Sequence, residues 1–314
     1  MSATQLYYIL QWPKQAPPLS SDILEDHILQ LTHWLKEASW AIQSNASIDN
    51  DTKKNTLLSE DLIYSALLHP NVCNSLILAN KTLNVSDCIN AVNTYRTTII
   101  KLEQIKKHSN LLGKIIEIDF DSEDCYRIDH SSSVLCHPPL IISEENRQLI
   151  QEKLTTAMAM VDHIASTAGL IIRKVTRVIR IRCADNNNVA AETDPNYIGE
   201  IRLLNPHLAQ TRIIDIADSL IHESLHNFLA MYENRRGNFV AYEQNARIRP
   251  VSPWTGNPIP YNAFTHAVFI YFALFNFYRL LYASNEYSRL RTETADLIAK
   301  CARGFRVSEL YQCL

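Results

Sequence analysis

Residues 208–233 read HLAQTRIIDIADSLIHESLHNFLAMY. Ile213, Ile214, Ile216, Leu220, Ile221, Leu225, Phe228 and Leu229 fall at spacings that cover nearly every face of a helix. A helix that is apolar almost all round is a buried one. Within it stand Asp218, His222, Glu223 and His226. His222-Glu223-Ser224-Leu225-His226 is an HExxH. At about 100° per residue the two histidines lie one turn apart on one side, so both can ligate a single ion, with Glu223 beside them. Ionisable groups in an apolar surround need partners, and a divalent metal supplies one.

Two histidines seed a metal site without closing it. Downstream, Glu233, Glu243 and His266 are the candidates for the third ligand. His266 is favoured. It opens the apolar run AFTHAVFIYFALFNFYRLLYA (263–283) and so stands on a rigid element, whereas Glu243 falls in an irregular stretch. A neutral imidazole among Phe264, Val268, Phe269 and Ile270 is also cheaper to bury than an ionised carboxylate.

Working outward from the HExxH helix, residues 234–260 contain Pro250, Pro253, Pro258 and Pro260, which block regular structure. The helix at 261–283 is long enough to span a bilayer, but His266, Asn276 and Arg279 are costly in lipid, so it is expected to be a core helix with no membrane partner. A last amphipathic helix is expected at about 286–302. Upstream, 115–121 reads as a short strand and 126–129 as its partner. SEENRQLIQEKLTTAMAMVDHIAS (143–166) reads as a helix capped by Ser143 and stopped by Gly169. GLIIRKVTRVIRIRC (169–183), rich in β-branched residues, reads as a strand, and YIGEIRLLN (197–205) as another. Residues 1–108 read as helical, with a polar linker at 45–54. The fold expected is mainly α with a small β-sheet (α+β): a helical N-terminal region, 1–108, and a catalytic domain, 109–314, built around the HExxH helix.

Composition narrows the function classes. The 314 residues carry a net charge of −3, which offers no basic excess for a phosphate backbone, so no nucleic-acid partner is expected. Only 6 residues are glycine, too few for a fold built on tight hairpins. The 7 cysteines form no CxxC and no disulfide framework, and the N-terminus lacks a basic, apolar leader. A reducing, cytoplasmic setting is the expectation.

From about residue 110 onward the chain resembles the HExxH-motif proteins associated with ribosomal peptide natural-product clusters, described as iron(II)/2-oxoglutarate-dependent peptide β-hydroxylases. The resemblance lies in the order of pieces: YIGEIRLLNP, then LIHESLHNFL, then Ser252-Pro253-Trp254, then a proline-rich loop delivering a histidine at the head of a helix in IPYNAFTHAVF, and SELYQCL at the end. Thr255 and Ile259-Pro260 stand where members of that family often carry SPWR and a further Arg-Pro. The resemblance implies Fe(II) on His222, His226 and His266, 2-oxoglutarate as co-substrate, and a ribosomally made precursor peptide hydroxylated on a side-chain β-carbon. It leaves Glu223 to steer a histidine or a water. The distal carboxylate of 2-oxoglutarate wants a bidentate arginine. Arg249 and Arg247, just before Ser-Pro-Trp, are the candidates, with Arg202 on the preceding strand next. Ser252 and Trp254 complete the set. The alternative read from the same residues is a Zn(II) metallopeptidase in which Glu223 is the general base; a scaffold protein with a dead site is a third.

Overall fold

The computed structural model describes residues 10–13, 19–45, 60–105, 111–112, 115–241 and 247–305. Four helices come first: α1 (Leu19–Asn45), α2 (Glu60–Leu67), α3 (Pro70–Thr82) and α4 (Val85–Ile105). Strands β1 (Leu111–Leu112) and β2 (Ile116–Asp119) follow, then a one-turn helix, α5 (Glu123–Tyr126). Next come α6 (Glu144–Ile164), α7 (Ser166–Val175), β3 (Val178–Arg182), β4 (Ala190–Glu192) and β5 (Glu200–Leu204). The chain continues through α8 (Ile213–Arg236), α9 (Tyr261–Ala283), a 3-10 turn at Ser288–Leu290 and α10 (Arg291–Phe305). The fold is thus mainly α with one small mixed sheet. The polar linker at 45–54 and the SELYQCL segment lie for the most part outside the described residues.

The sheet runs in the order β1-β2-β3-β5-β4. β2, β3 and β5 are parallel, and β1 and β4 pair antiparallel at the two edges. One face is apolar: Ile118, Ile179, Ile181, Ile201 and Leu203 enter the core that α8 also fills with Ile214, Leu220, Ile221, Leu225 and Phe228. The other face is charged. Asp119, Arg180, Arg202 and Glu192 stand opposite one another across four strands, and all four are wholly or largely buried. Arg180 pairs with Asp119, Asp124 and Glu200, and Arg202 pairs with Glu200, Glu192 and Asp194. Buried arginines are tolerable only when paired in this way.

α8 lies at the centre of the molecule, packed on α1, α6, α7 and α9. The N-terminal helices share its core: Leu31, Leu67 and Val72 belong to the same cluster as Ile201 and Leu225. Two close contacts tie the regions together. The Trp12 indole donates to the Ala273 carbonyl at 2.7 Å. Gly199, at φ +97°, approaches the Leu68 carbonyl so closely that a Cβ there would sit 2.9 Å from it, a position only glycine fills without strain.

The described elements depart from the sequence expectation in three places. Residues 169–183 are not one strand but the end of α7 followed by β3. Ile171, Ile172 and Val175 are buried on the inner face of α7, so tertiary packing overrides their β-branched preference. Gly169 does not stop α6; that helix ends at Ile164 with Ala165 as its cap, and Gly169 lies inside α7, where a Cβ would meet the Asp162 carboxylate. Residues 126–129 form no strand, since α5 occupies 123–126. The helix expected at 143–166 has Ser143 as its cap, accepting from the Asn146 N–H at 3.3 Å. The apolar helix matches its expected bounds, burying Ile270, Ala273, Leu274, Phe277 and Tyr278.

Candidate metal centre

α8 and α9 bring His222, His226 and His266 to one cavity. His222 and His226 stand one turn apart, with ring centres 5.2 Å apart. His266, in the second turn of α9, places its ring centre 5.5 Å from that of His226. The Nδ1 atoms of His226 and His266 are 3.3 Å apart. Two nitrogens bound to one zinc at the usual lengths and a tetrahedral angle are separated by about 3.3 Å, so this pair already has the spacing of two ligands on one ion. On its far side His266 meets Glu233: Nε2 to Oε2 is 3.0 Å. A carboxylate there fixes the ring and leaves Nδ1 for an ion. Glu233 also accepts from the Phe239 N–H at 3.0 Å, so the carboxylate is itself held.

Burial keeps the His226 imidazole well below the usual histidine range, with His222 and His266 adding to the effect. It is therefore neutral at pH 7, the form that ligates. Glu223 is buried at 5% exposure. Burial raises its proton affinity above the usual carboxylate range, opposed by His222 and by a hydrogen bond from Thr193. That direction suits a group that takes up and returns a proton.

The three histidines and Glu223 line a cavity of about 350 Å³. Its opposite wall is the edge strand β4 and the residues after it, Ala191 through Pro195. Asn227, Ala230, Asn262 and Ala263 complete it with Glu233. Below His222 lies an aromatic stack: the Tyr271 ring is edge-on to His222 at 6.0 Å, and Trp254 stacks on Tyr271 at 4.5 Å. The Trp254 indole donates to the Cys301 carbonyl at 3.0 Å. Ser252 is buried in the turn before Trp254, its carbonyl accepting from Gly256 N–H at 2.8 Å and its hydroxyl from Thr255 N–H at 3.3 Å. Neither Ser252 nor Trp254, both expected to bind the co-substrate, lines the cavity; Trp254 reaches His222 only through Tyr271.

A divalent ion fits this donor set: three imidazoles, one of them oriented by Glu233, with Glu223 alongside. Among the described residues no three His, Cys, Asp or Glu side chains are gathered round one point; the close pair is His226–His266. 2-Oxoglutarate does not fit the described lining. No lysine or arginine faces the cavity among those residues, whereas Glu192, Asp194, Glu223 and Glu233 do. Arg202 is committed on the charged face of the sheet, with Nε 2.5 Å from Glu200 and Nη1 3.2 Å from Glu192. Arg247 and Arg249 are exposed and do not line the cavity. Glu243 lies outside the described residues.

Glu192, Thr193 and Asp194 were not among the residues expected at the site. Their run, Ala-Glu-Thr-Asp, has little strand character, and β4 exists because it pairs with β5, a partner invisible to local patterning. No family model matches the chain, and no curated protein matches it at a significant level.

Proposed function

We propose that the protein is a metal-dependent enzyme acting on a peptide, with His222, His226 and His266 as ligands and Glu223 as the proton carrier. The observation that carries this reading is the 3.3 Å approach of His226 Nδ1 to His266 Nδ1 beside a buried carboxylate. A divalent ion in such a place supplies Lewis acidity toward a carbonyl group. β4 supports a peptide as substrate. It is an edge strand, and the cavity lies against it, so an extended chain laid along β4 can pair with its free backbone groups.

Peptide hydrolysis is the chemistry these residues favour. Glu223 would take a proton from the attacking water and return it to the leaving nitrogen as the C–N bond breaks. Thr193, bonded to Glu223 from the end of β4, holds that carboxylate toward the substrate strand. The acidic lining is compatible with this reaction, which needs no second anionic co-substrate.

The oxygenase implied by the family resemblance is the second reading. What favours it is that Ser252-Pro253-Trp254, a motif of that resemblance, reaches the site through the stack of Trp254 on Tyr271 against His222. In this reading Arg247 or Arg249 must anchor 2-oxoglutarate, since Arg202 is already paired.

The deciding experiment starts with metal analysis of protein purified without oxygen. The iron- and zinc-loaded forms are then each offered a peptide library, with and without 2-oxoglutarate, and products are read by mass. Cleaved peptides with zinc bear out hydrolysis. Gain of one oxygen atom per peptide, requiring iron and 2-oxoglutarate, bears out the oxygenase. Absence of any bound metal in either preparation defeats both.

A further inference from the structure

The turn between β5 and α8 holds a feature that the metal-binding residues do not account for. Lys153, half-buried on α6, sends its Nζ into that turn. It lies 2.7 Å from the Leu208 carbonyl, 2.9 Å from Thr211, 3.1 Å from Pro206 and 3.4 Å from His207. An ammonium has three protons and no acceptor, so it is fully satisfied by this ring of carbonyls. Four backbone dipoles aimed at one point repel one another, and a cation at the centre is what offsets that cost.

The turn is also fixed from outside the ring. Asn205, at φ +52°, is in the left-handed region. Its carbonyl accepts from Leu208 N–H at 3.2 Å and from the Thr211 hydroxyl at 3.3 Å. Its side chain accepts from Ala184 N–H at 2.8 Å and donates to the Asn188 carbonyl at 2.9 Å. The His207 ring meets Cys183 Sγ at 3.2 Å. These contacts give the turn anchors of its own besides the ammonium. Two residues past Thr211, α8 begins, and its axis carries His222 and His226.

We infer that the 206–211 turn is a carbonyl cage for a compact monovalent cation, that the Lys153 ammonium is its built-in occupant, and that this occupancy positions α8. Lys153 lines no part of the cavity, so it acts only through the helix. The positioning of the metal ligands rests on the reading proposed above; the cage itself does not. Potassium and ammonium ions match the size of a lysine ammonium, sodium is smaller and choline too large.

Lys153→Ala empties the cage and leaves room for an ion, while Lys153→Met removes the charge but keeps the stem in place. Melting is measured in potassium, ammonium, sodium and choline chlorides at equal ionic strength. In choline the alanine variant should melt about 4 °C below wild type, and potassium or ammonium should restore most of that loss in a saturable way. Wild type and the methionine variant should not distinguish potassium from choline. If the alanine variant does not fold in choline, its refolding yield in potassium against choline gives the same readout. Its zinc affinity should be about tenfold weaker in choline and recover in potassium. Equal melting of the alanine variant in all four salts overturns the cage. Cation-dependent melting with unchanged zinc affinity overturns the positioning role. If wild type binds no zinc, the metal reading falls, and the melting series still decides the cage.

Discussion

His226 and His266 meet at 3.3 Å between their Nδ1 atoms although 40 residues separate them in the chain. Two imidazole nitrogens at that distance share one proton or one cation, and in the proposed metal site Glu233, 3.0 Å behind His266, orients that ring. Alanine at His222, His226 or His266 should therefore abolish tight zinc binding. Glu233→Gln, which keeps the hydrogen bond but removes the charge, should weaken it by about 10- to 100-fold. Competition against a chromophoric chelator measures both. Full affinity in the His266→Ala protein would move the third ligand elsewhere.

Glu223 is next to His222, a proposed ligand, and is itself proposed for proton transfer. Glu223→Gln should keep its metal while turnover of a cleavable peptide falls by about 10²- to 10⁴-fold. The comparison needs metal content and rate on the same sample. A variant that stays active would remove Glu223 from the chemistry and, with it, the hydrolytic reading.

Arg202 binds three carboxylates at the end of the charged face. Arg202→Met should destabilise the fold by about 3 kcal/mol, because Glu192 is left largely buried without its cation while Glu200 keeps only Arg180. Arg247→Ala and Arg249→Ala, at exposed positions, should change stability by no more than about 0.5 kcal/mol. Should 2-oxoglutarate be the co-substrate, one of these two alone should raise its apparent KM by about 10-fold or more. Chemical denaturation and co-substrate titration separate the roles.

Asp218 faces Tyr278, whose hydroxyl donates to it. Burial pushes the Asp218 carboxyl from its ordinary 3.8 up to about 6, against that hydrogen bond. The folded state thus holds this proton more tightly than the unfolded chain does. The contribution to stability is complete below about pH 4 and is lost as pH rises through about 6, a loss of at most about 3 kcal/mol. Asp218→Asn removes that dependence, so its stability relative to wild type should improve between pH 4.5 and 7.5. A difference that stays constant over this range would show that Asp218 is not perturbed in the folded protein.

Much of the site could be read from the chain because it sits on helices with strong periodicity. The apolar surround of 213–229 fixes the burial of α8, and the run from 261 gives the bounds of α9 and the place of His266. The sheet was harder to read. Residues 169–175 share the β-branched content of β3, and only packing against α6 and α8 makes them helical. β4 has three residues and no strand-forming side chain, so its place at the cavity follows from register with β5. Arg202 carried a usable signal: Glu200 lies two residues before it on the same strand face, and Glu192 and Asp194 lie close upstream, enough acid nearby to pair it.

Gly304 lies against the Trp254 indole so closely that a Cβ there would stand 2.1 Å from Nε1. The missing methyl makes α10 a buttress: it lets the indole lie flat under Tyr271, which in turn meets His222. Damage far from the three histidines would therefore reach the proposed metal site by displacement instead of by loss of a side chain. A chain cut before α10 would keep all three histidines and Glu223 yet lose the floor they stand on, and a shortened variant that fails to bind metal would say nothing about which residues are ligands.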